Sequence, residues 1–98
     1  MTALTEAEIQ AELKTLSGWE VRDAHLVRTF QTPSFAHAVL FLGAVAQLAE
    51  AAGHHPDLRL HGWNKLTVEL TTHSAGGLTE KDFSLARQIS QLPQRQSK

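Results

Sequence analysis

Two adjacent histidines, His54 and His55, precede Pro56, and another closes the segment Thr71-Thr72-His73. With His61, four of the chain's six histidines fall between positions 54 and 73. Imidazole is the side chain that most readily both gives and takes a proton near neutral pH. Packing seldom calls for so many imidazoles in so short a span, so the cluster predicts an acid–base site. Other chemistries find less support. The chain has no cysteine, which excludes disulfides and thiolate metal ligands. It has no His-Glu-x-x-His motif; a histidine-only metal site would have to be built from His54, His61 and His73, and adjacent rings seldom reach one metal from regular structure. We therefore expect no metal. Gly76-Gly77 lacks the spacing and the basic residue of a phosphate loop.

The elements that must position these residues can be read from periodicity and caps. Thr5-Glu6-Ala7-Glu8 is a capping box, followed at helical spacing by Ile9, Leu13 and Leu16. Gly18 ends that helix or its connecting turn. Residues 19–21 read as a short strand, Asp23-Ala24 as a tight turn, and residues 25–31 as a second strand rich in β-formers. Thr32 is the expected N-cap of a long helix with Pro33 in its first turn. Phe35, Val39, Leu42, Ala46 and Ala49 carry its apolar stripe to about Ala52, and Gly53 is its left-handed cap. Residues 57–60 alternate as a third strand, and His61-Gly62-Trp63-Asn64 is turn-like. Residues 65–72 form the clearest strand, with Leu66, Val68 and Leu70 on one face and Thr67, Glu69 and Thr71 on the other; if it persists, His73 joins the polar face. Residues 74–77 read as a flexible loop. Thr79 and Asp82 then form a capping box for a last helix with Phe83, Ala86 and Ile89 inward. Pro93 stops it, and residues 93–98 are expected to fray. The order α-β-β-α-β-β-α predicts a single α+β domain over residues 1–98, a four-stranded antiparallel sheet with three helices on one face.

Bulk properties narrow the partners. Nine basic and ten acidic residues give a formal net charge of -1, which offers no footprint for nucleic acid or anionic lipid. Residues 1–6 lack the basic start and apolar run of a signal peptide. The longest apolar stretch, residues 36–52, is interrupted by His37, Gln47 and Glu50 and is expected to be too short to span a bilayer. A soluble, cytoplasmic protein is expected, and so small a domain gains from self-association.

Each candidate residue has a blander role to set beside the chemical one. His54 and His55 follow a helix C-terminus, where the dipole favours imidazolium, and Pro56 restrains the backbone of His55; the same placement would suit two solvated histidines at a cap. His73 alone would read as a strand-end residue; its weight comes from the pair at 54–55. Glu50 lies one turn before His54, where it can orient an imidazole or simply be solvated. Trp19 and Trp63 would suit an aromatic wall for a flat ligand, though each alone reads better as packing. His61, His25 and His37 are not assigned to the site.

Glu50-x-x-x-His54-His55-Pro56, Trp63-Asn64-Lys65, Leu70-Thr71-Thr72-His73, Gly76-Gly77-Leu78-Thr79 and Asp82 together resemble the pterin-4a-carbinolamine dehydratases. Gly18-Trp19 and the element order extend the likeness over nearly the whole chain. One departure is a residue more between Pro56 and Trp63 than in some members, with tryptophan where tyrosine is common. The resemblance implies dehydration of 4a-hydroxytetrahydropterin to quinonoid dihydropterin, a hydro-lyase reaction in tetrahydrobiopterin recycling that needs no cofactor. It implies His54, His55 and His73 as catalytic residues. Glu50, His55, Trp19 and Thr72 are implied in holding the pterin, with Glu50 orienting a histidine. It also implies homodimers joined at sheet edges and homotetramers joined through helices. The alternative reading is a non-catalytic dimerisation or assembly scaffold of the same fold.

Overall fold

Leu66, Val68 and Leu70 alternate with Lys65, Thr67 and Glu69, and all three apolar side chains are completely buried. That period-2 pattern sets the strand at the centre of the molecule. The structure, a computed structural model, describes residues 2–93. Its elements are α1 (Glu6–Leu13), β1 (Glu20–Arg22), β2 (His25–Gln31), α2 (Phe35–Ala52), β3 (Asp57–His61), β4 (Lys65–Leu70), a 3-10 turn (His73–Ala75) and α3 (Glu80–Ser90). The order is the predicted α-β-β-α-β-β-α. The four strands make one antiparallel sheet in the order β1-β2-β4-β3, so β4 pairs with both β2 and β3. The inward face of β4 joins Leu26 and Phe30 of β2, Val45 and Ala49 of α2, and Phe83, Ala86 and Ile89 of α3 in one cluster. Ile9 and Leu13 of α1 pack against it. Burying each large aliphatic side chain there contributes about 2 kcal/mol. The outward face is polar: the Thr67 hydroxyl meets the Thr29 hydroxyl at 2.7 Å and His61 Nε2 at 2.8 Å.

Local chemistry explains most boundaries. The Thr5–Glu8 capping box closes as expected, and Asp23 and Ala24 both take positive φ in the β1–β2 turn, the mirror-image turn that matches strand twist. Several boundaries differ from the sequence reading. Ser34, not Thr32, caps α2: its hydroxyl accepts from His37 N–H at 3.1 Å. Thr32 is instead held by the β3–β4 hairpin, its N–H donating to Asn64 O and its own carbonyl accepting from Asn64 Nδ2, both at 2.9 Å. A tertiary clasp thus outcompetes the local cap, and the helix begins after Pro33 rather than with it. β1 starts at Glu20 because Trp19 turns into the core. β3 continues through His61, which pairs with Lys65.

β4 stops at Leu70 instead of running to Thr72. Thr71 donates its hydroxyl to Ala24 O at 2.9 Å, and Thr72 bridges to Gly77. His73 therefore leaves the strand and opens the 3-10 turn, and the predicted loop 74–77 is closed rather than loose. The expected frayed tail falls, apart from Pro93, outside the described residues. α2 also differs in reach: at 18 residues and mean hydropathy 1.5 it is long and apolar enough to cross a membrane by length and composition, because His37, Gln47 and Glu50 do not interrupt the helix. Ala38, Val45 and Ala49 bury one side of it.

Gly53 ends α2 at φ 63°, ψ 31°, its N–H returned to the last turn. A methyl group there would meet nothing within 4 Å, so the cost of Gly53→Ala is that of left-handed backbone alone. Urea unfolding should show a loss of about 1 kcal/mol.

Candidate active site

The left-handed turn at Gly53 sends the chain back under the helix, and His54 N–H donates to Ala49 O at 3.1 Å. This brings the His54 ring, 11% exposed, against α3, where its Nε2 lies 2.6 Å from Asp82 Oδ1. Asp82 is completely buried. Its second oxygen accepts from the Thr72 hydroxyl at 2.8 Å and from Thr79 N–H at 2.9 Å. The Thr72 and Thr79 hydroxyls are 2.9 Å apart. Because Thr72 gives its only hydroxyl proton to Asp82, Thr79 must donate to Thr72. The direction of the whole chain of hydrogen bonds is thereby fixed. The ionised carboxylate, an acceptor only, holds the proton on His54 Nε2 and leaves Nδ1 as the ring atom able to exchange one, the logic of a carboxylate-oriented imidazole.

His55 turns the other way. It is exposed, and its Nε2 lies 2.5 Å from Glu50 Oε2 one turn back on α2. The exposed pair orients the ring but adds little stability. His73 is exposed at the start of the 3-10 turn, directly after the buried Thr72. The β4 exit and the α2 exit therefore meet at the α3 N-terminus. A cavity of about 270 Å³ opens beside His54, lined by Ala52 of α2 and by Glu80, Lys81, Ser84, Leu85 and Gln88 of α3. Burial and the neighbouring Glu12 push the Glu80 carboxyl above its ordinary range.

The other sequence candidates fall elsewhere. Trp19 is a core residue rather than a ligand wall. It is 7% exposed, edge-on to Phe30 at 6.0 Å, with Nε1–H donating to Ser90 Oγ at 2.8 Å. Ser90 ends α3 while Asp82 begins it, which separates Trp19 from His54 by about 12 Å along the helix. Thr72 is buried behind the histidine, its hydroxyl committed to Asp82 and Thr79; it supports the site instead of facing a ligand. Trp63 is exposed at the β3–β4 turn with φ 59°. His61 lies on the outer sheet face, its Nε2 2.8 Å from the Thr67 hydroxyl, apart from the His54–Asp82 pair. Among the described residues, no three His, Asp or Glu side chains are grouped to hold a metal ion. Glu50 does orient an imidazole, that of His55. The sequence marks Asp82 as a helix-capping residue and as part of the family resemblance; its burial beside Thr79 is what makes it the partner of His54, and the available signal was an aspartate where a capping box usually has glutamate.

This is an α+β domain whose helix ends present two carboxylate-held histidines, with another on the adjoining turn. Residues 2–92 match the family described as "Pterin 4 alpha carbinolamine dehydratase", and the chain belongs to that family. A protein of Roseiflexus sp. (strain RS-1), provisionally named a pterin-4-alpha-carbinolamine dehydratase, is 53% identical over 93% of this chain and 97% of its own. One of Nostoc punctiforme with the same name is 47% identical over 91% of this chain and 95% of its own. Among solved structures, a transcriptional coactivator/pterin dehydratase from Brucella melitensis superposes with a TM-score of 0.85 at 35% identity, covering 91% of this chain and 96% of its own. A pterin dehydratase-like protein identified as a RuBisCO assembly factor in the alpha-carboxysome superposes with a TM-score of 0.57 at 25% identity, covering 72% of this chain and 81% of its own.

Two measurements test these environments. Thr72→Val leaves a buried carboxylate oxygen one donor short and should cost about 1–3 kcal/mol in urea unfolding. Burial, with Arg59 and Lys65 nearby, pushes His61 below its ordinary value of 6.5. The unfolded chain then takes up this proton at a pH where the folded chain does not. The contribution is present above the ordinary value and is lost as pH falls through the lowered one. The parent protein should thus lose more stability on acidification than His61→Asn, read from urea midpoints across that range.

Proposed function

We propose that this chain dehydrates 4a-hydroxytetrahydropterins to the quinonoid dihydropterin and water, by histidine general acid–base catalysis, in the recycling of tetrahydrobiopterin or a related pterin. The family match and the relatives' names support carbinolamine dehydration in general. The observation that carries the finer reading is the His54–Asp82 pair. It is a buried, fully hydrogen-bonded carboxylate that fixes one imidazole tautomer beside an open cavity.

The chemistry is a balanced elimination. The C4a hydroxyl is a poor leaving group until it gains a proton. As the C4a–O bond breaks, the N5 lone pair forms the C4a–N5 double bond, water departs, and the proton on N5 passes to a base. One proton enters and one leaves, so two imidazoles suffice without a covalent intermediate. His54 and His73 are assigned to these transfers. His55, held by Glu50, binds and orients the pterin. Asp82 and Thr72 act through His54. The reaction is assigned to the cytoplasm.

Self-association accompanies this reading. The sheet ends in two unpaired edges, β1 and β3, and the first half of α2 leaves Phe35, Val39 and Leu40 exposed at 56%, 42% and 72%. Apolar area of this kind on so small a domain favours burial against another copy, giving a homodimer or homotetramer. The same surface supports the alternative of an assembly scaffold, a role stated for the carboxysomal neighbour. Stoichiometric capture of a partner by a protein without turnover would favour that alternative.

In a 4a-carbinolamine assay, His54→Ala and His73→Ala should each lower kcat about 10²-fold or more. Unchanged rates in folded variants would sink the dehydratase mechanism. Leu40→Glu should shift sedimentation towards smaller species while leaving the circular dichroism spectrum unchanged.

A further inference from the structure

His54 and His55 are each held through the ring by a carboxylate. Among the described residues the His73 side chain makes no hydrogen bond, and it is exposed. The backbone that carries it is then the part of the residue that hydrogen bonds hold. That backbone is a closed loop. Thr72 N–H donates to Gly77 O at 3.2 Å and Gly77 N–H to Thr72 O at 3.4 Å; within it, Gly76 N–H donates to His73 O at 3.1 Å. One arm is fixed at Thr72 by Asp82 and Thr79. The other arm, at Gly77 and Leu78, is backed by the segment ahead of α1. Leu4 N–H donates to Leu78 O at 2.8 Å, and a Cβ on Gly77 would lie 3.4 Å from the Ala3 methyl. Gly77 lacks positive φ, so a side chain larger than alanine there would be resisted by the Ala3 contact and not by the backbone angles.

We propose that Ala3 and Leu4 are positioning residues for His73: they strap the second arm of the loop and so set where the His73 imidazole stands. This rests on the dehydratase reading for its catalytic consequence, but not for its structural one. Two substitutions separate strap from packing. Leu4→Pro removes the N–H, whereas Leu4→Ala keeps it and loses the larger side chain. Assigned imidazole resonances from NMR and steady-state kinetics are recorded for each. Leu4→Pro should shift and broaden the His73 signals, leave those of His54 in place, and lower kcat roughly five- to tenfold with little change in KM. Leu4→Ala should do neither. An alanine Cβ at Gly77 would only touch Ala3, but the γ-methyls of Gly77→Val reach past that contact distance and should move the His73 signals in the same way; adding Ala3→Gly should restore them. This second pair decides the matter if Leu4→Pro does not fold. The proposal is overturned if His73 resonances are unmoved in Gly77→Val, if Ala3→Gly fails to restore them, or if a folded Leu4→Pro matches Leu4→Ala. Absence of turnover in the parent protein would remove the dehydratase reading and leave the resonance test standing.

Discussion

A single buried carboxylate organises the functional end of this protein. Taking an ionised Asp82 out of water costs several kcal/mol unless its oxygens find donors. Here they find the Thr72 hydroxyl, Thr79 N–H and the His54 ring. These donors come from the exit of β4, the start of α3 and the exit of α2. The requirement to satisfy one carboxylate therefore locks three chain segments together, and no one of them can shift without leaving a buried charge short of a partner. The same group closes the α3 capping box, so helix initiation and histidine placement share one side chain.

His54, His55 and His73 are restrained to different degrees. His54 is enclosed and tied to a carboxylate that is itself fixed. His55 is tied to Glu50, but both are exposed, in a setting where water competes effectively. His73 is exposed, and among the described residues its hydrogen bonding is through the loop backbone. The first half of α2 imposes a separate constraint: its exposed apolar residues, Phe35, Val39 and Leu40, are costly to leave in water on so small a domain.

Much of the scaffold was legible in the sequence because it rests on short-range chemistry. The Thr5 and Thr79 capping boxes, the left-handed glycine after α2 and the alternation along β4 are each set by residues within a few positions of one another. The departures have long-range causes. Thr32 lost its place as a cap to Asn64, thirty-two residues away, because the paired hydrogen bonds to the hairpin are buried and a helix cap is not. The strand after Leu70 ended early because Thr71 is drawn to Ala24 O and Thr72 to Asp82. Trp19 was a possible ligand wall by composition, but its position opposite Phe30 and beside Ser90 makes it core.

The sequence by itself determined the element order, the α+β architecture and the identity of the histidines, through periodicity, caps and the spacing of chemically able residues. Only the tertiary structure decided how those histidines are used: that His54 belongs to Asp82 and His55 to Glu50, that His61 stands apart on the outer sheet face, and that Thr72 faces inward behind the site. The physical reason is that local rules govern hydrogen bonds a turn or two long. The pairing of a buried charge is settled by whichever donors the folded chain brings within reach, and His54 and Asp82 meet across twenty-eight residues.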